Sequence, residues 1–253
     1  GGRRCAGRQP VKVVKQTERY VILDDVLPPE QFALMLEYAA RSDYARNPRW
    51  IKPWDLGDEM PWQTGETVYT KGKALHEQDP RRAYPTGQAV DLLLKKILES
   101  KFYREKVPDT YVTARTYLHP PGSGLDWHDD EGRFAGAYTY YVHPRWHASW
   151  GGELMIVEDA LGRDRLPEKR HMKDGRVETV AKTWDVLTKD DLSAMLMDGA
   201  TSTEFVFAKP NRLVFMVGGT WHRVNVVKRN APFPRAAIAG FFLGENDDVP
   251  FWR

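Results

Sequence analysis

The sequence predicts a mainly β domain with flanking helices, a sandwich or barrel with the helices packed on one face. Two segments with helical apolar spacing come first. After Val107, short apolar runs punctuated by Gly, Pro and Asn take over. With 253 residues, 42% hydrophobic and 28% charged, the chain has the length and composition of a folded domain with a real core, not of a disordered segment.

Residues 1–18 carry Arg3, Arg4, Arg8, Lys12 and Lys15 and read as a flexible basic tail. Residues 20–25 read as a short strand. Pro28 and Pro29 open a helix to about Arg41, because proline is tolerated in a first helical turn. Phe32, Met35, Leu36 and Ala39 give that helix its buried stripe at i, i+3, i+4, i+7. Residues 43 to 85 lack periodicity and hold Trp50, Trp54 and Trp62, the makings of a lid or a packed surface loop. A second helix runs from Thr86 to Ser100, with Val90, Leu93, Leu94, Ile97 and Leu98 on one face.

Strands follow at 110–118, 136–143, 152–158, 204–208, 211–217, 222–227 and 236–243. Residues 159–203 interrupt the series. They are charged and hold one helix, with Thr188 as cap and Asp191 three residues on. They read as an insertion, so residues 19–253 form a single domain.

Net charge is +2, from 37 basic and 35 acidic residues, which gives no electrostatic case for nucleic-acid binding. No apolar run reaches the ~18–20 residues of a membrane span, and the start lacks the apolar stretch of a signal peptide. Cys5 is the only cysteine, so thiolate cages and intramolecular disulfides are excluded. A metal here has to be held by His and carboxylate. The expected setting is cytoplasmic and the expected partner a small molecule, with no nucleic acid and no membrane; a homodimer is compatible.

Three pieces carry chemistry. Trp127-His128-Asp129-Asp130 follows the strand holding Tyr117. In an extended segment, residues two apart point the same way, so His128 and Asp130 can aim at one point. Gly218-Gly219-Thr220-Trp221-His222 opens a late strand. Arg235, thirteen residues after His222, opens the last one. Two neutral imidazoles and a carboxylate on one face of a metal make the facial triad of non-haem Fe(II) oxygenases, which leaves positions for a 2-oxoacid and O2. The distal carboxylate of 2-oxoglutarate then needs a cation, and the planar guanidinium of Arg235 is a bidentate partner for it. Each piece alone is weak: a lone His on a strand is commonly structural. Their order, spacing and strand context agree.

The chain resembles the prolyl-4-hydroxylase-like branch of the 2-oxoglutarate/Fe(II) dioxygenase superfamily over most of its length. The residues are Val21-Ile22-Leu23-Asp24-Asp25-Val26-Leu27-Pro28, Arg115-Thr116-Tyr117 ahead of His128, Tyr141-Val142-His143-Pro144-Arg145-Trp146 with Trp150-Gly151-Gly152-Glu153-Leu154, and Pro210-Asn211-Arg212-Leu213-Val214-Phe215. The resemblance implies a double-stranded β-helix, a cupin-like jelly roll, with Fe(II) in its mouth. It implies that His128, Asp130 and His222 hold the metal, that Arg235 anchors the cosubstrate 2-oxoglutarate, and that Tyr117 is a second contact. It also implies hydroxylation by O2, because related halogenases replace the carboxylate held here by Asp130. The stretch from His222 to Arg235 is longer than the commonest family pattern, so Lys228 and Arg229 stand as alternative anchors. Leu125 stands where many relatives have Tyr.

Strand parity turns Thr139 and Tyr141 into the pocket as further cosubstrate contacts, and Tyr138 and Tyr140 away from it; a one-residue slip would reverse this. Candidate substrate residues are Trp127, Asp129, Arg133, Trp146, Trp150, Asn225 and Trp252. The plainer readings are core packing for the Trp residues, a solvated loop for Asp129 and Arg133, a turn hydrogen bond for Asn225, and a packed tail for residues 247–253. The expected substrate is small and polar, a free amino acid or natural-product intermediate. The alternatives are a peptidyl prolyl-type hydroxylase, which needs an open groove, and a non-catalytic cupin-like binding protein, which would form no succinate. A nucleic-acid demethylase fits less well, since the basic excess is missing.

Overall fold

Two antiparallel sheets pack face to face, and helices cover the outer face of the larger one. The computed structural model describes residues 11–46, 59–65, 67–70, 73–74, 85–108, 110–130, 134–158, 169–171, 177–179 and 189–243. In chain order the first half comprises β1 (Lys12–Gln16), β2 (Tyr20–Asp24), α1 (Pro29–Arg41), β3 (Ala45–Arg46), β4 (Trp62–Gln63), β5 (Thr67–Thr70), β6 (Lys73–Ala74), α2 (Pro85–Glu99), α3 (Lys101–Lys106), β7 (Tyr111–His119) and β8 (Leu125–His128). The second half comprises β9 (Gly136–Tyr141), β10 (Leu154–Val157), β11 (Lys169–His171), β12 (Val177–Thr179), α4 (Lys189–Gly199), β13 (Thr203–Val206), β14 (Leu213–Val217), β15 (His222–Val224) and β16 (Arg235–Leu243).

The larger sheet runs β1-β2-β14-β9-β16-β7-β4-β3, with β5 also paired to β7 and to β6. The smaller runs β13-β10-β15-β8. The central strands β2, β14, β9 and β16 are buried on both faces, which explains why they are apolar almost throughout, while β1, β3 and β4 at the edges are largely exposed. On the outer face, Val112, Ala114, Tyr138, Tyr140, Ile238 and Phe242 pack against Met35, Ala39, Val90, Leu93, Leu94 and Ile97 of α1 and α2. On the inner face, Ala137, Tyr141, Val214, Met216 and Ala237 meet Leu154, Ile156, Val206 and Val224 of the smaller sheet. Each fully buried Leu, Ile or Phe in these layers contributes about 1.5–3 kcal/mol.

Alternation along β9 therefore separates two buried faces. Tyr138 and Tyr140 turn toward the helices, not toward water, and their hydroxyls donate to Thr113 O (2.9 Å) and Asn211 Oδ1 (2.7 Å). Gly240 is required where β16 crosses β7, since a Cβ there would lie 1.8 Å from Thr113 O.

The structure differs from the sequence expectation at several points. Lys12–Gln16 are not part of a flexible tail but an edge strand on β2. Val13 and Val14 favour extended backbone, and β2 offers an open edge. Lys15 then bridges to Glu158 and Glu204, tying the two sheets. Within 43–85, β4 and β5 add to β7; strands of two to four residues are too short to show periodicity. The second helix is followed by a separate α3, because Ser100 leaves the helix and caps the next by accepting from Tyr103 N–H. The insertion holds a β11–β12 pair besides its helix, and α4 packs Leu192, Met195 and Leu196 on Val157, Trp221 and Trp127. Trp50, Trp54, Thr188 and residues 247–253 lie outside the described residues. Among those described, no helix is long and apolar enough to cross a membrane.

Candidate active site

β8 and β15 are neighbours in the smaller sheet, and their register sets His128 opposite His222. The ring centroids are 4.1 Å apart. Each Nδ1 meets a backbone carbonyl two residues back, Asp126 O at 2.6 Å and Thr220 O at 2.8 Å. A carbonyl only accepts, so each Nδ1 carries the hydrogen and each Nε2 is left with its lone pair. Asp130 supplies the third donor, with Oδ1 3.7 Å from His128 Nε2 and Oδ2 3.3 Å from His222 Nε2. Donors ~2.1 Å from one ion and at right angles stand roughly 3 Å apart, so this set fits a single octahedral metal with little movement. Among the described residues, these are the three side chains whose ligand atoms gather, all within 4.8 Å.

The convergence was expected, but its mechanism was not. β8 ends at His128, so simple strand alternation does not carry Asp130 to the site. Asp130 instead takes a left-handed backbone, φ +55°, which turns its carboxylate back toward the imidazoles. Asp tolerates that region better than most residues. The two loops carrying the donors are tied together: Gly219 N–H donates to Asp129 O at 3.1 Å, and Arg19 donates to Gly219 O. Arg19 was not singled out from the sequence, and its position at a strand start carries no signal for this contact.

His222 is 6% exposed, and burial together with the neighbouring His128 lowers its pKa to about 4. Burial also lowers His143 to about 4 and puts His119 well below 6.5, Arg235 adding to both. These groups fold neutral and titrate near 6.5 when unfolded, so below that pH the unfolded chain takes up protons first. Their stabilisation is present above pH ~6.5 and is lost as pH falls toward 4. The metal-free protein should therefore show a flat melting temperature at neutral pH and a fall between pH ~6.5 and ~4 steeper than one proton can explain. A flat profile down to pH ~4 would refute neutral burial of these imidazoles.

The other end of the pocket is built on β7, β9 and β16. Arg235 is 1% exposed and stands opposite His119. Its guanidinium lies 4.9 Å from the centroid of the Tyr141 ring. Tyr117, Ala237 and Tyr141 form the next row across the three strands, and Arg115, Ala239 and Thr139 the row beyond. Among the described residues, Arg235 Nε and Tyr141 Oη are buried without a hydrogen-bond partner. A buried cation and hydroxyl left this way suit an anionic, oxygen-rich ligand. Lys228 and Arg229, the alternative anchors, are exposed on the surface. Gly152, φ +71°, lets the Arg235 stem pass: a Cβ there would sit 2.8 Å from Arg235 Cδ. His143, not singled out from the sequence, stands between Ala236 O (3.1 Å) and Ala208 O (2.7 Å) and fixes the strand next to Arg235. The signal available for it was its place two residues beyond Tyr141.

The substrate candidates fare unevenly. Asp129 is buried beside the donor set. Trp127 is partly buried against the cluster under α4 and lies 5.6 Å from the Arg223 guanidinium. Trp146 and Trp150 pack edge-to-face with each other and with Phe233, and Trp146 approaches Gly152 beside the Arg235 stem. Asn225 is a turn residue, donating to Glu153 Oε2 at 3.1 Å and accepting from Val226 N–H. Arg133 and Trp252 lie outside the described residues.

A family profile described as the 2OG-Fe(II) oxygenase superfamily matches residues 112–243. No curated protein matches. Solved structures are similar in fold. A prolyl-4-hydroxylase from Pseudomonas putida is 16% identical, with TM-score 0.52, covering 89% of this chain and 92% of that one. A prolyl hydroxylase from Trichoplax adhaerens, in complex with a hypoxia inducible factor peptide, is 12% identical, with TM-score 0.52, covering 94% and 89%. A 2OG-Fe(II) oxygenase family oxidoreductase from Burkholderia pseudomallei is 10% identical, with TM-score 0.53, covering 88% and 85%.

Proposed function

The chain belongs to the 2OG-Fe(II) oxygenase superfamily, and on that premise we propose that it hydroxylates a small polar molecule, a free amino acid or a natural-product intermediate. It is a 2-oxoglutarate-dependent dioxygenase with the family's double-stranded β-helix, and its cofactor set is Fe(II), 2-oxoglutarate and O2. The observation that carries the reading is the meeting of His128, Asp130 and His222 at one end of a pocket whose other end holds buried Arg235.

In this reading His128, Asp130 and His222 hold the iron. Arg235 takes the distal carboxylate of 2-oxoglutarate, with Tyr117, Thr139 and Tyr141 lining its path. When bound, the iron and cosubstrate couple conversion of 2-oxoglutarate to succinate and CO2 with delivery of one oxygen atom to the substrate. The chain's own residues bind and orient. Carbonyl-fixed tautomers keep both Nε2 atoms ready as donors. The Arg235 fork sets the depth and direction of the cosubstrate. Ala137, Leu125, Val224 and the Trp146 wall keep the interior apolar and exclude water.

The polar inner rows of β7 and β9 support a small polar substrate. Fold likeness at 10–16% identity does not choose between that and a peptide. The test supplies Fe(II), 2-oxoglutarate and O2 with free amino acids in one arm and proline-containing peptides in the other. Succinate release and a mass gain of about 16 on a free amino acid is the expected result. The same gain confined to the peptides would replace the proposal with a peptidyl hydroxylase.

A further inference from the structure

The crossings between the two sheets tell the ends of the barrel apart. The chain passes from β8 to β9 and from β14 to β15 at one end, and from β7 to β8, β9 to β10 and β15 to β16 at the other. His128 closes β8 and His222 opens β15, so the donor set lies at the first end; Arg235 opens β16 at the second. Ala236, Ile238 and Phe242 pack on the helices, so the inner face of β16 reads Arg235, Ala237, Ala239, Phe241. Six residues carry that row roughly 20 Å, from the anchor to the donor end. There Phe241 stands opposite Ala137, the second residue of β9. Its ring stacks on Phe134, with centroids 4.0 Å apart and planes 17° apart. Phe134 follows Asp130 by four residues, and the loop leading to His222 closes on it: Gly218 N–H donates to Ala135 O at 2.7 Å, and a Cβ on Gly218 would lie 2.6 Å from Phe134 O. The pair is thus held by the segments that carry Asp130 and His222 and by the strand that carries Arg235. β16 is a central strand, flanked by β9 and β7 and covered on its outer face by the helices. Ala239 and Phe241 are nonetheless half-buried, while Phe242 and Leu243 beyond them are buried, so this is not the exposure of a strand end. Both face inward, and what they are exposed to is the interior of the barrel.

We propose that Phe241, with Phe134 stacked on it, is the wall against which the substrate's side chain packs, so that the enzyme selects a free amino acid whose side chain is aliphatic or a hydrocarbon ring. This rests on the reading above, in which the substrate is small and 2-oxoglutarate runs from Arg235 to the metal donors. On that placement the cosubstrate lies along the short side chains of Ala237 and Ala239, and a molecule that joins it at the donor end meets Phe241 next. The polar inner rows of β7 and β9 serve the amino and carboxylate groups that all amino acids share, and do not choose among them. Choice needs a surface on which side chains differ. Against two apolar rings a hydrocarbon side chain gains by leaving water, whereas an amide or charged one gives up hydrogen bonds to water that the rings do not replace. Stacking on Phe134 holds the Phe241 ring in one orientation, so the wall has its shape before the substrate arrives.

The test uses the Fe(II)-loaded full chain with 2-oxoglutarate and O2. The probes are the free proteinogenic L-amino acids, which include the near-isosteric pairs leucine with asparagine and valine with threonine. Apolar members should stimulate succinate release, with a preference of at least about tenfold in kcat/KM over the polar isostere. Phe241→Ser should raise the KM for the preferred amino acid by about tenfold or more and shrink that preference, while its kcat and the KM for 2-oxoglutarate move less than about threefold. Phe134→Ser should show the same change in weaker form. Phe241→Leu restores apolar bulk and should keep most of the preference, and with the wild-type selectivity it keeps the test decisive if a serine variant does not fold. Anaerobic calorimetry on protein holding Fe(II) and 2-oxoglutarate should show a negative heat-capacity change as the preferred amino acid binds, smaller in Phe241→Ser. Turnover that favours an amide or charged side chain, or an unchanged KM in both serine variants, would overturn the wall and leave the small-substrate reading standing. Turnover confined to proline-containing peptides would overturn that reading, and the wall with it.

Discussion

Asp130→Ala is expected to strip the protein of its iron. The three donors stand 3.3–3.7 Å apart across the carboxylate, and Asp130 is the one anionic ligand among them. Removing it leaves two neutral imidazoles opposite one another on β8 and β15, still oriented by Asp126 O and Thr220 O but with the third position vacant. Loss of a mere supporting hydrogen bond to a ligand typically costs 10–100-fold in metal affinity, so loss of a direct anionic ligand should cost at least about 100-fold. Anaerobic Fe(II) titration reads this directly, and succinate release should fall with it. The fold should hold, because Asp130 lies past the end of β8 and makes no ladder bond. Wild-type metal content and turnover in this variant would remove the basis of the site.

Arg235→Met should separate cosubstrate binding from metal binding. Met keeps an apolar stem against Gly152 and the Trp146 wall and removes the charge. Truncating one partner of a buried, hydrogen-bonded charge pair costs about 2–5 kcal/mol, equivalent to a roughly 30- to 3,000-fold rise in the KM for 2-oxoglutarate. Iron retention should stay near wild type, since Arg235 lies at the far end of the pocket. Arg235→Lys should recover part of the loss, because lysine restores the charge without the fork. An unchanged KM in Arg235→Met would return the anchor to Lys228 or Arg229, whose exposure argues against them.

Much of the framework was legible in residue order. The stripes Met35–Ala39 and Val90–Ile97 announce their helices, and both are buried as the spacing implies. The strands of the second half fall within a few residues of the apolar runs that mark them. β1, β4 and β5 were not legible, because short edge strands owe their form to the partner edge they meet and not to their own pattern. Among the substrate candidates, Trp127, Trp146 and Trp150 make the packing contacts, and Asn225 the turn hydrogen bond, that were the plainer readings of those residues. A large ring or an amide has many uses, and only its neighbours select one. His143 and Arg19 show the converse, residues not singled out from the sequence that hold the strands and loops bearing the site.

Chemistry of the donor set is a property of the chain alone: a single cysteine leaves imidazole and carboxylate as the metal ligands, and their order with Arg235 names the family. Geometry is not. The left-handed turn at Asp130, the register that puts His128 against His222, and the burial that isolates Arg235 beside Tyr141 all arise from contacts between segments distant in sequence. Residue type and period are local quantities, fixed before the chain folds. Register, burial and the direction of a loop residue depend on partners that only folding brings near.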